Sequence, residues 1–354
     1  MSYYESFITK VKEGKKGFNV GIPYTVDRLN MYSKIRWAKY TLVIAPAGVG
    51  KSSWVYDQYM FNTLDHVLQH GNKDVFNLFY NLEIENDDII GVLIARYIYT
   101  KHGILTDKNQ LFSAEEDNKF IHDKIERIIE SDECRQYVQE FEKRTCIFTK
   151  CNRKKIEHDI DILYSEGKLC DEDGREKKLP TAQNKIVNVI LDHIGLVVTM
   201  KGENDYNTLV HTSGMLVRAR NKYKCSPIVV QQITPQKDTF DSKQTVIYNH
   251  QDLRGGKETI QDCDLALSIG SPFKADKETY AGYKILPTPA NENLGLKERI
   301  RVIKALKNRG GALSDEVIAS FIGEIGKFSN MSKSPSNADT AFYKAAMNLK
   351  KTYT

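Results

Sequence analysis

A chain of 354 residues with 41% apolar side chains is long enough to bury a large core, and its length suits one big domain or two small ones. A formal charge of +5 favours a polyanionic partner mildly, far below the charge density of a histone-like protein. No twenty-residue apolar run occurs, and the opening stretch MSYYESFITKVKEGKKG lacks the apolar centre and cleavage site of a signal peptide, so neither a membrane span nor secretion is expected, and the cytoplasm is the expected location.

In chain order, residues 1–20 read as an arm: a short amphipathic stretch from Tyr4 to Val11, then the Gly- and Lys-rich link EGKKG. TLVIAPAGVGKSS reads as an apolar strand, a turn containing glycine and a helix start, and the helix continues through SSWVYDQYMFNTLDHVLQ. A buried strand follows in VFNLFYNLE and a helix in DDIIGVLIARYIYTKH. The alternation repeats with the strand CIFTK, the helix KKIEHDIDILYSEG, the strand IVNVILDHIGLVV, the helix TLVHTSGMLVRARNKYK and the strand SPIVVQQI. Such order predicts an α/β fold with a mostly parallel central sheet flanked by helices. The polar stretches KLCDEDGREKKLPTAQN, VTMKGENDYN and PQKDTFDSKQTVIYNHQDLRGG read as loops, the last two at strand ends, where open α/β sheets bind ligands. Residues 331–354 read as a flexible basic tail with a small helix in AFYKAAMNLKK, which leaves residues 21–330 as one large domain. Six scattered cysteines form no CxxC pair and have no zinc spacing, so free thiols are expected.

The strongest local signal is Ala45-Pro46-Ala47-Gly48-Val49-Gly50-Lys51-Ser52, between a predicted strand and a predicted helix. Small residues let backbone N–H groups converge on phosphates, and the helix start adds the positive end of its dipole. The expected nucleotide-binding residues are Ala47, Gly48, Val49, Gly50, Lys51, Ser52 and Ser53, with Lys51 reaching the β- and γ-oxygens and Ser52 ligating Mg²⁺. Ala45 stands where glycine is commoner, which is tolerable if its φ is negative.

Two carboxylates complete the pattern. Asp192 ends the apolar run Val189-Ile190-Leu191 and suits the magnesium side of a phosphate site. Glu83 follows the strand after the phosphate-loop helix and suits the orientation and deprotonation of an attacking water. Glu85 competes for that role, because two residues on it would share a face if the strand continued.

In order and spacing, GIPYTVDRLN, APAGVGKSS, NLEIE, ILDHIGLVV, VVQQI, DLRGGKETIQDCDLALSI, KALKNRGG and SFIGEIGKFSN resemble the RecA-like ATPase domain of DnaB-type hexameric replicative helicases, from about Gly21 to Asn330. The resemblance implies a RecA-like P-loop NTPase core that uses ATP and Mg²⁺ and translocates 5′ to 3′ on single-stranded DNA as a homo-oligomeric ring, a hexamer in the family. It implies Glu83 as catalytic glutamate, Asp192 as magnesium-site aspartate and Gln232 as the residue coupling the γ-phosphate to the DNA loops. Lys307 and Arg309 stand where the family has a lysine and an arginine finger that reach the neighbouring subunit's nucleotide.

The family's two channel loops would be Met200 to Asn207 and Pro235 to Gly256 here, with Lys201, Lys237, Lys243, Arg254, Gly255 and Gly256 as candidate DNA contacts. Lys201 and Lys243 also read as plain surface charges. Where the family carries an N-terminal helical domain or a primase, only about twenty residues precede this core, so coupling to a primase or loader is in doubt and the arm from Tyr3 to Val11 is the expected substitute for packing on a neighbour. A RecA-type recombinase filament protein and a nucleotide-binding helicase loader or adaptor are the competing readings.

Overall fold

The computed structural model describes residues 2–15, 17, 20–71, 73–112, 119–182, 184–233, 245–249, 252–253, 257–286 and 295–331. The expected tail falls almost wholly outside the described residues.

Helix α1 (Tyr3–Lys15) leaves Tyr3, Tyr4, Phe7 and Val11 exposed. Strand β1 (Thr41–Ala45) runs into the phosphate-loop sequence. The long helix after it is wound in three parts: α2 (Lys51–Val55), a π-helical segment (Tyr56–Phe61) and α3 (Asn62–His70). Next come β2 (Asp74–Asn81), α4 (Asn86–His102), α5 (Lys108–Phe112), α6 (Lys119–Ile129), α7 (Asp132–Lys143) and β3 (Thr145–Phe148). Helix α8 (Arg153–Glu166) starts where the Asn152 side chain accepts the Lys155 N–H at 2.9 Å. A hairpin of β4 (Lys168–Cys170) and β5 (Glu176–Lys178) leads to β6 (Lys185–Asp192). Helix α9 (Asp205–Tyr223), capped by Asn204 on the Asn207 N–H at 2.8 Å, leads to β7 (Ser226–Gln232). Then follow α10 (Lys257–Asp262), β8 (Leu265–Gly270), the pair β9 (Thr279–Tyr280) and β10 (Tyr283–Lys284), and β11 (Ile300–Asn308), β12 (Val317–Ile322) and β13 (Lys327–Asn330).

Among the described residues the main sheet has the order β13-β12-β11-β8-β1-β7-β6-β2-β3. The six strands from β8 to β3 pair in parallel, and β11, β12 and β13 extend the sheet antiparallel. Side chains alternate between two cores. Val43 and Ala45 of β1 point with Phe79, Ile190 and Val230 toward the phosphate-loop helix and α4, while Leu42 and Ile44 point with Leu78, Val189 and Val229 toward α8 and α9. Burial on both faces explains why these strands read as unbroken apolar runs. This is the expected α/β architecture, a mostly parallel central sheet with helices on both faces. No helix among the described residues is long and apolar enough to cross a membrane.

Four local features differ from the sequence expectation. The helix after β1 carries a π-helical segment whose six residues are all buried, Asp57 and Gln58 included. Asp57 pairs with Arg96 of α4 and accepts the Phe328 N–H at 2.9 Å, so polar partners reward turning it inward. Strand β2 stops at Asn81, and β6 stops at Asp192 before a 3₁₀ turn (Ile194–Leu196) instead of running on through the apolar HIGLVV. The polar stretch read as a loop holds the β4–β5 hairpin, where the Asp171 carboxylate accepts the N–H groups of Asp173 (3.1 Å) and Arg175 (2.9 Å) and so stabilises the turn.

Candidate functional site

The carboxyl ends of β1, β2, β6, β7 and β8 lie along one edge of the sheet, and the site is built there. Ala45 ends β1 and is not among the positive-φ residues, so alanine carries no backbone strain there. Gly48 (φ 65°) and Gly50 (φ 103°) adopt the left-handed conformations that curl the loop. Gly50 also lies against the aromatic rings behind the loop, where an added Cβ would meet Phe321 at 3.4 Å. Arg301 braces the loop from the sheet side: it is 2% exposed, its Nε donates to the Val49 carbonyl at 2.7 Å, and its guanidinium lies 4.4 Å from the centre of the Phe321 ring.

Lys51 is mostly buried and its Nζ donates to the Pro46 carbonyl at 3.0 Å. Burial lowers the pKa of its ammonium, and the Glu83 and Asp192 carboxylates oppose that shift. Asp192 is fully buried and accepts from the Tyr56 hydroxyl at 2.6 Å on Oδ2. Among the described residues its Oδ1 has no hydrogen-bond partner. Burial raises the Asp192 pKa, against the stabilising hydrogen bonds of Tyr56 and Ser52. The Tyr56 phenol is likewise pushed up, first by burial and then by Asp192.

Glu83 sits in the turn between β2 and α4. The Asn81 side chain clamps that turn: its Nδ2 donates to the Ile84 carbonyl at 2.5 Å and its Oδ1 accepts the Ile84 N–H at 3.3 Å. The Leu82 N–H donates to the Asp192 carbonyl at 2.9 Å, tying the turn to the end of β6. Glu83 is thereby in electrostatic range of Lys51, Tyr56, Asp192 and His193. Glu85 instead occupies the position just before α4, because the strand does not continue. His193 is the half-buried neighbour of Asp192, and burial holds its imidazole below the ordinary value against the pull of Glu83 and Asp192.

Gln232 ends β7 in register with Ala45, so it stands beside the root of the phosphate loop. Lys307 and Arg309 lie elsewhere. Lys307 pairs with Ala266 and Asn308 with Leu265, which is level with Thr41 at the opposite end of β1. The strand rise puts the Arg309 backbone on the order of 15 Å from Ala45, beyond the reach of an arginine side chain. The two cations gather on the carboxyl end of α10: Lys307 Nζ donates to the Ile260 (2.5 Å) and Gln261 (2.7 Å) carbonyls, and Arg309 Nη2 donates to Gln261 O at 2.6 Å. Arg309 also lies 3.6 Å from Asp264.

Ser52 faces Asp192, and Ser53 packs against Gly326. Lys201 is exposed in a turn between β6 and α9. Lys237, Lys243, Arg254, Gly255 and Gly256 lie outside the described residues. The structure therefore gathers Lys51, Ser52, Glu83, Asp192 and Gln232 at one edge and holds Lys307 and Arg309 at the other. Sequence reasoning missed Tyr56, Asn81, His193, Arg301 and Lys274. Tyr56 carried a usable signal, four residues after Ser52 and so on the same helix face, whereas Arg301 reaches Val49 from 252 residues away.

The fold and the loop define the class: an α/β protein with a mostly parallel sheet flanked by helices and a phosphate-loop sequence between its first strand and the helix that follows. Solved structures narrow the fold further. The chain is similar to a solved ATPase domain, at 19% identity over 94% of this chain and 99% of that one with a TM-score of 0.66. It is also similar to a DnaB-like replicative helicase studied for its interactions with primase, at 19% identity over 94% of this chain and 67% of that one with a TM-score of 0.63. Its fold is therefore that of the ATPase domain of DnaB-type replicative helicases. No protein-family model matches the chain, and no curated protein does.

Proposed function

We propose that the chain is the motor of an ATP-dependent replicative DNA helicase, translocating 5′ to 3′ on single-stranded DNA as a homo-oligomeric ring, a hexamer, that hydrolyses ATP between subunits. The observation that carries this reading is the separation of Glu83 and Lys51 from Arg309 at opposite ends of one sheet. A site with its water-activating carboxylate in place and its charge-stabilising cations out of reach is completed by a second copy presenting its Lys307 and Arg309.

In this mechanism the loop N–H groups and Lys51 hold the triphosphate. Glu83, fixed by Asn81 and the Leu82–Asp192 backbone bond, aligns a water on the γ-phosphorus and accepts its proton as ADP leaves. Magnesium fits beside it, because the buried Asp192 Oδ1 is an acceptor without a donor and the Ser52 hydroxyl faces the same carboxylate. When bound there it would neutralise charge on the β- and γ-oxygens. Gln232, beside the loop root, would pass the state of the γ-phosphate to the channel loops, and Lys201, Lys237, Lys243, Arg254, Gly255 and Gly256 are the proposed phosphate-tracking contacts. Residues 1–20 would be the arm that packs on a neighbouring subunit, residues 21–330 the motor and residues 331–354 the basic tail; a primase or a loader would be the protein partner.

DNA-stimulated ATP turnover measured together with strand displacement tests the proposal. The helicase reading requires both activities. Turnover with joint-molecule formation and no displacement would indicate a recombinase, and neither activity alone would indicate an adaptor.

A further inference from the structure

The sheet order places β8 directly beside β1, on the side opposite β7, so the turn after β8 flanks the phosphate loop just as Gln232 does from the other side. That turn is well ordered by its own hydrogen bonds. The Ala275 N–H donates to the Ser271 carbonyl (3.1 Å), Asp276 to Phe273 (3.1 Å) and Lys277 to Pro272 (3.0 Å), while the Lys274 N–H reaches the Ser271 hydroxyl at 3.3 Å. Ser271 and Ala275 are buried on either side of Lys274, whose own side chain projects outward.

It projects onto the phosphate loop. A Cβ built on Gly48 would lie 2.5 Å from Lys274 Nζ, so the ammonium rests directly on the middle of the loop. Among the described residues no carboxylate or carbonyl is placed against that ammonium. Lys51 approaches the same loop from its own helix, and the two cations are close enough that Lys274 lowers the Lys51 pKa. Two like charges converging on a curl of backbone N–H groups repel each other until an anion arrives between them.

We propose that Lys274 is a second phosphate-binding cation of the nucleotide site, supplied by the same subunit, which contacts the β- and γ-phosphates opposite Lys51. The assignment rests on the phosphate loop being a nucleoside triphosphate site. It adds a charge that no sequence motif announces, 226 residues beyond Gly48 as the numbering runs. It also divides the labour between cations: Lys51 and Lys274 hold the triphosphate within the subunit, and Lys307 and Arg309 reach it from the neighbour. A charge-assisted contact to phosphate would make the loss of Lys274 cost about tenfold in affinity or more.

Equilibrium binding of fluorescent ATP to the full chain, with displacement by unlabelled ATP and by inorganic tripolyphosphate, tests this on Lys274→Ala, Lys274→Arg and Lys51→Ala. Lys274→Ala is expected to weaken ATP and tripolyphosphate by the same factor, with an unchanged melting temperature because the side chain is exposed, and Lys274→Arg is expected to restore most of the loss. Unchanged or tighter ATP binding by Lys274→Ala, while Lys51→Ala loses it, overturns the role of Lys274 and leaves the site intact. A loss confined to ATP, sparing tripolyphosphate, also overturns it, because Lys274 would then read the nucleoside. Native ATP affinity in Lys51→Ala would instead overturn the nucleotide site on which the assignment rests.

Discussion

The Tyr56 hydroxyl donates to Oδ2 of Asp192 at 2.6 Å, and both side chains are buried. The bond joins the phosphate-loop helix to the end of β6 and leaves Oδ1 of Asp192 without a donor among the described residues. It also stabilises the ionised carboxylate, opposing the burial that raises its pKa. Tyr56→Phe keeps the ring and its packing on Phe79 while removing the donor. A buried hydrogen bond to a charged group contributes about 1.5–3 kcal/mol, so ATP turnover at neutral pH should fall by roughly 10- to 100-fold. The acid limb of the pH–rate profile should move to higher pH. An unchanged limb would remove Tyr56 from the support of Asp192.

The same carboxylate makes a prediction for the protein without nucleotide. Its pKa is higher in the folded chain than in the unfolded one, so between those two values the folded state holds the extra proton. Stability from this group is therefore full below the ordinary carboxylate range and is lost as pH rises through the raised value. Urea unfolding of the native chain and of Asp192→Asn should diverge over that window, with the native chain losing ground as pH rises. Parallel curves at every pH would contradict the buried, ionisable state of Asp192.

Arg301 supplies a third test, because it braces the loop through the Val49 carbonyl from the sheet side. Besides Val49, its Nη1 donates to the Glu298 (2.9 Å) and Ile300 (2.8 Å) carbonyls, and its Nη2 pairs with the Glu298 carboxylate at 2.7 Å. A lysine cannot reproduce that fork. Arg301→Lys should leave a buried carbonyl without its donor, at a cost of about 1–3 kcal/mol, and lower the melting temperature by several degrees. Loss of stability alone would be a packing effect. Positioning of the loop predicts in addition that saturating ATP no longer raises the melting temperature, while Glu298→Gln, which keeps the Val49 contact, retains that shift.

Five of the six parallel strands, β1, β2, β3, β6 and β7, were legible because they are apolar runs buried in the sheet and the loop–helix junction carries a spaced motif, whereas β8 was not read as a strand. The antiparallel strands β11 to β13 were not. Their residues Ile300 to Asn330 mix buried and half-buried positions in short runs, and nothing local states that they pair beyond β8. The long helix was read correctly in extent but not in winding, because the inward Asp57 is matched by Arg96, thirty-nine positions on in the numbering. Within the site, Lys51, Asp192 and Glu83 follow apolar strands and so announce themselves. Arg301 and Lys274 act through long-range contacts to backbone, which single-chain periodicity does not encode.

The last prediction concerns where Arg309 acts rather than whether it matters. Its backbone lies at the far end of the sheet from Lys51, so under the proposed function it would serve a neighbour's nucleotide and not its own. Arg309→Ala should leave ATP binding largely intact and suppress hydrolysis on the order of 10³-fold or more, as arginine fingers do. Glu83→Gln should likewise bind ATP and fail to hydrolyse it, while Glu85→Gln should remain active. In the proposed ring each interface would take its glutamate from one subunit and its finger from the next. When Arg309→Ala and Glu83→Gln subunits are mixed under conditions of exchange, one of the two mixed orders therefore regains both groups. Turnover in the mixture should rise above that of either variant alone. If mixing restores nothing, diluting the native chain with Glu83→Gln separates the two remaining explanations. A decline much steeper than linear means that every site in the ring must be competent, and the finger can still act across the interface. A linear decline means that the sites work independently, and the failure to complement would then show that Arg309 does not act on its neighbour.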